Sequence, residues 1–489
     1  MVAPSPVIKV AVGFTMTLAT ALFLAALMPG NRGQQVASIL AEGPRPAREP
    51  LVLQIPTKHD YVDDNWRLLG LAQTITSEEA HEQTGPDTDP NTFFVSPTGD
   101  EGNDGQTAEA PWQNLQASID RLQPGQTLFL MDGIYSGQYS DPPAHWIVRH
   151  SGKPDAWIRV AAAPGHTPIL HPDQGHGLEV RNASYVEVEG LTVVGQDFGG
   201  SNDYGWGMVI RESHHVRLIG NDISDMPVGG ISAVESSKFE IIGNTTHHNS
   251  FWGPEQGSGI SVWHAKSRGQ EPFEDGYHIR IIGNTTYANE NKVYSQWAPG
   301  RNIMSDGNGI IMDLGQHFGY SHKTLIANNI AFNNGGRGIN ITKSDRVDVV
   351  NNTTYHNGRT PTLSTPGTEL SATNSKEIRF YNNLSVSRPG LSEIMISNVD
   401  GLDIAGNVFV TDKPSGHAKN GGFFTTNDPG FVRASVDPNE ADFRLKPGSV
   451  ALSTSTVPFD AVNLDWSGAP RPEGRAAVGA FELSAEDPE

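Results

Sequence analysis

The chain contains no cysteine, so disulfide staples and thiolate metal sites are excluded and the usual redox clue to compartment is missing. It has no cationic excess either. Against 55 Asp and Glu stand 34 Lys and Arg, a formal charge of −21, which denies nucleic acid its electrostatic footprint. A local basic strip could still hold an anionic polymer, because net charge does not say where the charges sit. Long apolar runs are missing except at the start, where Val10 to Met28 follows the single cation Lys9 and ends at Pro29-Gly30. That run is marginal for spanning a bilayer and long for a signal-peptide core, and no small-x-small cleavage pattern follows it. Residues 1–30 read as a signal peptide or a signal anchor. The chain is therefore expected to be exported to the periplasm, the cell surface or the medium, touching a membrane only through residues 10–28. Residues 31–91, rich in Pro, Glu, Gln and Asp, read as a tether.

Glycine is plentiful, 53 residues with no collagen period, and much of it belongs to one returning phrase. Gly-Met-Val-Ile begins at Gly207, Gly-Ile-Ser-Ala at Gly230, Gly-Ile-Ser-Val at Gly259, Gly-Ile-Ile-Met at Gly309 and Gly-Ile-Asn-Ile at Gly338. A second β-like run follows each phrase and ends in an Asn turn, at Asn221, Asn244 and Asn284, then at Asn328, Asn351 and Asn382. The shortest spacing, 23 residues from Asn221 to Asn244, lies in the range where self-similarity means a solenoid. One such turn cannot bury an apolar face alone, so it must stack on the next at roughly 4.8 Å. Alternation along a strand puts the second and fourth residues of Gly-Ile-Ser-Val inward and Ser261 outward. Asn tolerates left-handed backbone angles, and its amides can stack in a ladder. A β-propeller would need units of about 40 residues with four strands each, and no blade signature recurs. The pattern predicts an all-β, single-stranded parallel β-helix over residues 92–485, most simply a monomer.

Before the repeats, Phe93-Phe94-Val95-Ser96-Pro97-Thr98-Gly99 leads to a helix-spaced Leu115 to Ile119. Pro124-Gly125-Gln126-Thr127 and Asp132-Gly133-Ile134-Tyr135 follow. A strand, a short amphipathic helix and a Pro-Gly turn would cap the open end of the solenoid. This opening resembles that of the pectate-lyase-like right-handed β-helix superfamily, and Phe443-Arg444-Leu445-Lys446-Pro447-Gly448-Ser449 and Val478-Gly479-Ala480-Phe481-Glu482 resemble its tail. The resemblance implies the right hand of the helix. It also implies a carbohydrate-active protein, without choosing among the superfamily's lyases, hydrolases, epimerases, esterases and tailspikes.

Aligning the recurring Gly gives columns of stacked residues. One outward column reads Arg181, Arg211, Val234, Trp263, Asp313, Thr342, and the next reads Asn182, Glu212, Glu235, His264, Leu314, Lys343. Such columns are ordinarily solvated surface, but this one mixes acid, base and aromatic platform as a sugar-binding groove would. Extra loops at 265–276, 292–305 and 315–322 flank the same stretch. Lys343, His264, Asp313, Glu235 and Arg211 are the catalytic candidates. Trp263, Arg181, Glu212, Arg337 and Asn340 are candidates for substrate contact.

Three chemistries compete for these residues. A lyase acting on a uronate polymer needs a base and a cation or Ca²⁺ to steady the enolate, for which Lys343, Arg211, Arg337 and His264 are available. Asp306, Asp313 and Asn308 could serve Ca²⁺, though they are fewer than a full cage of oxygens. A glycoside hydrolase needs a carboxylate pair. Glu235 with Asp313, two coils apart, would lie roughly 9 to 10 Å apart between backbones, and Glu212 with Glu235 about 5 Å. The epimerase reading is weakened because His171-Pro172-Asp173 is not the Asp-Pro-His-Asp order of alginate epimerases. A non-catalytic polysaccharide-binding surface protein stands beside these three chemistries, among which the lyase is favoured and the glycoside hydrolase is the runner-up.

Overall fold

A computed structural model describes residues 89–483 apart from 137–143, 199–203, 270–275, 298–299, 418–420, 455–456 and 473–475. The apolar run at 10–28 and nearly all of the tether lie outside the described residues. No helix among the described residues is long and apolar enough to cross a membrane.

The described chain is all-β apart from short helical pieces, and its strands fall into three parallel sheets of nine, eleven and eleven strands and one antiparallel pair, Phe431–Arg433 with Asp442–Leu445. Each coil visits the three parallel sheets in the same order, giving a right-handed parallel β-helix, the hand that right-twisted parallel strands favour. The nine-stranded sheet carries the Gly phrases, in register Met208–Ile231–Ile260–Ile310–Ile339. Ile260 and Val262 are fully buried, as the alternation requires. Ser261 corrects the expected contrast. It points outward yet is buried, as are Ser232, Ile311 and Asn340 in the same column. Here the loops of residues 251–257 and 291–308 are knit together, with Gly307 N donating to Gly257 O and Gln256 Nε2 to Val293 O.

Two buried amide ladders tie successive coils. In the first, Asn221, Asn244, Asn284, Asn329, Asn352 and Asn383 each donate from Nδ2 to the next Oδ1, at 2.9–3.0 Å, and the ladder ends on Asn407. This shifts the Asn-Asn turns by one residue from the sequence alignment, because the second Asn, not the first, enters the ladder. Asn328, Asn351 and Asn382 instead occupy the left-handed position held elsewhere by Gly220, Gly243 and Gly283. Their amides grip the C-terminal tail, donating to the carbonyls of Leu464, Ala477 and Val457. The second ladder, Asn249–Asn289–Asn334–Asn357, ends on the buried carboxyl of Glu369.

On the outer face of one eleven-stranded sheet, Arg159, Glu187, Arg217, Glu240 and Arg280 alternate in sign from coil to coil and bridge at 2.9–3.5 Å. The amino-terminal cap forms as expected. Helix Leu115–Arg121 starts on Asn114, whose side chain accepts from Ala117 N, and buries Leu115 and Ile119. Its Gln116 amide then satisfies the first strand of the nine-stranded sheet, accepting from Ile147 N at 2.8 Å and donating to Ile147 O at 3.0 Å.

Removing one rung tests the ladder. Asn284→Ala takes the acceptor from the buried Asn244 N–H and the side-chain donor from the Ile241 carbonyl, and each buried unsatisfied group costs about 1–3 kcal/mol. Urea denaturation should show a loss of at least about 2 kcal/mol. A loss within error would mean the ladder is not what couples the coils.

Candidate active site

The site lies on the outer face of the nine-stranded sheet, where the chain turns toward the sheet with alternating charges. Asn182, Glu212, Glu235, His264, Leu314 and Lys343, the second predicted column, all have φ between 45° and 55°. A non-glycine residue in this left-handed region costs roughly 1–2 kcal/mol. Because every coil repeats it, the strain belongs to the turn and does not by itself mark function.

Asp313 is the centre of the arrangement. It ends strand Ile310–Asp313 in register between Trp263 and Thr342, and Lys343 follows Thr342. Burial, and then the charge of Asp306, push its carboxyl up to about 7, against the pull of Lys343 and the Leu314 amide. Asp306 is itself raised by burial to about 6. It accepts hydrogen bonds from Asn308 Nδ2 and Ser305 Oγ, both at 3.1 Å. Arg337, its cationic neighbour, is buried and donates to Thr365 Oγ1, while its Nε has no partner among the described residues. Two coupled carboxyls near neutrality and two cations thus share one patch.

Beside Asp313 stands an aromatic stack. Trp263 is 41% exposed and its ring lies 3.9 Å from that of His264, which stacks in turn on His317 at 4.2 Å. Burial, and then His317, lower the proton affinity of His264, against the opposing charge of Glu235. His317 and Phe318 come from a 3-10 turn, Gly315–Phe318, in one of the loops anticipated from the sequence.

The structure does not bring all the candidates together. Glu235 and Glu212 are not a free carboxylate pair, because the adjoining loop delivers Lys266 and Arg268 to them. Lys266 lies 3.1 Å from Glu235, and Arg268 lies 3.4 Å from both carboxylates. Arg211 and Arg181 stack on each other three and four strands from Asp313 and share the buried carboxylate of Glu179. Asn340 is buried, its Oδ1 accepting from Ser371 Oγ. The donor set around Asp306, Asp313 and Asn308 does not fit Ca²⁺. The Asn308 carbonyl oxygen already accepts from Arg337 N, and the two carboxyls have Arg337 and Lys343 as neighbours. Among the described residues no three His, Asp or Glu side chains converge as metal ligands.

Sequence reasoning passed over the other wall. Tyr204, Tyr294 and Trp297 are exposed on the loops at the opposite edge of the sheet, Trp297 at 71%. Tyr204 Oη donates to Gln296 Oε1, and Trp297 Nε1 to the Glu255 carbonyl. An aromatic residue inside an inserted loop was the available signal.

The folded protein holds the Asp313 proton more tightly than the unfolded chain, whose carboxyl titrates near 3.8. The stabilising effect of the neutral carboxyl is therefore full below about pH 4 and lost as pH rises through about 7. Asp313→Asn should leave the melting temperature unchanged at about pH 4 and raise it at about pH 8. Equal shifts at both pH values would contradict the raised proton affinity.

Comparison with known proteins agrees with this architecture. Residues 93–374 match the family described as Pel9A-like, right handed beta helix region. Among solved structures, pectate lyase Pel9A is 19% identical, with a TM-score of 0.50 over 80% of this chain and 96% of that one. The native GH136 lacto-N-biosidase from Eubacterium ramulus is 15% identical, with a TM-score of 0.41 over 68% and 66%. A rhamnogalacturonan lyase is 12% identical, with a TM-score of 0.39 over 81% and 97%. At 19% identity the likeness to pectate lyase Pel9A concerns the fold alone, and no curated protein matches the sequence. The family match covers more than half of the chain, which belongs to the Pel9A-like right-handed β-helix family.

Proposed function

We propose that this protein is an exported polysaccharide lyase that cleaves a uronate-containing polymer by β-elimination. The observation that carries the reading is Asp313, a partly exposed carboxyl held near neutrality between Lys343 and Asp306 and flanked by the exposed face of Trp263. A carboxyl in that range can both take and return a proton at working pH. In the elimination it removes the proton beside the uronate carboxylate. The released pair forms the ring double bond, the adjacent glycosidic C–O bond breaks, and the leaving oxygen is protonated. Lys343 and Arg337 supply the positive charge that steadies the carboxylate as its enolate develops. Trp263 offers a platform for a sugar face. No step requires a metal. Export rests on the apolar run from Val10 to Met28.

One observation favours a second reading, a glycoside hydrolase. Asp306 and Asp313 are electrostatically coupled and both raised, as a carboxyl pair sharing acid and base duties would be. The hydrogen bonds that Asn308 and Ser305 make to Asp306 argue against its reaching a substrate.

Incubation of the protein with acidic and neutral polysaccharides separates the two. A lyase produces ultraviolet-absorbing unsaturated ends together with reducing ends, and a hydrolase produces reducing ends alone. Asp313→Asn and Lys343→Ala should each lower turnover by at least about 10²-fold. Glu235→Gln, removing a carboxylate already spent on Lys266 and Arg268, should leave turnover within a few-fold. Near-normal turnover in both Asp313→Asn and Lys343→Ala would refute the site.

A further inference from the structure

We propose that the same face carries a second anchoring subsite for an anionic sugar, centred on Arg211 and three coils toward the amino terminus from Asp313. The proposal rests on the reading of this face as a polysaccharide groove and adds where the chain is held away from the reacting bond. Arg211, Val234, Trp263 and Asp313 occupy one column in register, so Arg211 and Asp313 are three strand steps apart, about 14 Å. A sugar chain extended along the column advances by about one ring per coil. A carboxylate a few rings from the reacting bond would therefore meet Arg211.

The guanidinium is built to receive it. Its Nε donates to Glu179 Oε1 at 2.6 Å, and its Nη2 lies 3.4 Å from His176 Nε2. Glu179 is fully buried and is shared with Arg181, whose Nη2 donates to Oε2 at 2.5 Å. Two guanidiniums thus lean on one carboxylate, and burial lowers His176 to about 4, so it is neutral at working pH. Glu179 cannot be the group Arg211 exists to neutralise alone, and Arg211 Nη1 has no hydrogen bond among the described residues. The Arg211 side chain remains 29% exposed, enough for a ligand to reach. Of the neighbouring acids, Glu255 is half-buried, and burial raises its carboxyl against the pull of Arg211. The Glu255 loop also brings in Trp297, and Gln296 brings in Tyr204, both exposed ring faces on which sugars can pack. A positioned guanidinium and a buried carboxylate that fixes its orientation together form a subsite for an acidic saccharide.

The test measures binding apart from chemistry, with Asp313→Asn protein and defined oligogalacturonates and oligomannuronates of increasing length, by calorimetry. Affinity should step up once the oligomer is long enough to span from Asp313 to Arg211. Adding Arg211→Gln should remove that step, a loss of about tenfold, the size of one charge-assisted hydrogen bond, without changing the affinity of shorter oligomers. Arg211→Lys should recover part of it, and methyl esterification of the oligomer should abolish it in the parent protein. Melting temperatures identify any variant that has lost its fold, in which case Arg211→Lys with the esterified ligand decides. An equal effect of Arg211→Gln at every length, a step that survives it, or no binding of any oligouronate would overturn the proposal. Cleavage of a uronate polymer without the step would refute the subsite alone. The step without any cleavage would refute the lyase reading alone.

Discussion

One repeat distance governs this molecule. Each strand hydrogen-bonds to its counterpart one coil away, so every side chain meets the same position of its neighbour at about 4.8 Å. A buried polar group can tolerate that stacking only if it both donates and accepts along the axis. The primary amide of Asn does so, and that is why two columns of Asn run through the interior, each Nδ2 bonded to the next Oδ1 and the remaining donors bonded to backbone carbonyls. Asp in the same place would stack like charges. Glu369 shows how a carboxyl is admitted, at the end of a ladder, where it accepts from the last Asn and burial pushes its proton affinity up to about 8.

The same distance disciplines the charged faces. Like charges one coil apart repel, so Arg159, Glu187, Arg217, Glu240 and Arg280 alternate, and the three inner residues bridge their neighbours on both sides. The face with Asp313 does not follow this rule. Its column places two arginines together, then Val234 and Trp263, then Asp313 beside Thr342, so no residue of opposite sign within the column neutralises its neighbour. Compensation comes from outside the column, from Glu179 for the two arginines and from Lys343 for Asp313, and at Asp313 it does not offset burial and the charge of Asp306, which push the carboxyl up to about 7.

Much of the fold was legible because the repeat is. The Gly phrase fixed the register of the nine-stranded sheet, and Leu115 to Ile119 announced the cap. The Asn turns were legible to within one residue. The switch from Ile-Gly-Asn to Asn-Asn was a signal too, since it begins at the coil where the C-terminal tail docks and an amide beside the ladder acquires a carbonyl to bind. Of the site, the column order could be read, but the partners brought by loops could not. Lys266 and Arg268 reach Glu235 from an insertion whose path no period constrains, and Glu255 and Trp297 come from two more. Column arithmetic says which residues stack; it does not say which are already neutralised.

That distinction bears on how such folds acquire function. A coil that satisfies its own charges is complete without a ligand. Function requires a place where the regular scaffold leaves charge uncompensated and where a loop shields it from water without supplying a full counter-charge. Asp313 meets both conditions. It sits at a strand end, where the outward side chain leaves the sheet, and between loops that bury it while only Lys343 and the Leu314 amide oppose the cost. The raised carboxyl is therefore the local consequence of an otherwise strict rule being broken, and the polymer's own periodicity is the natural counterpart to a surface whose charges recur along one axis.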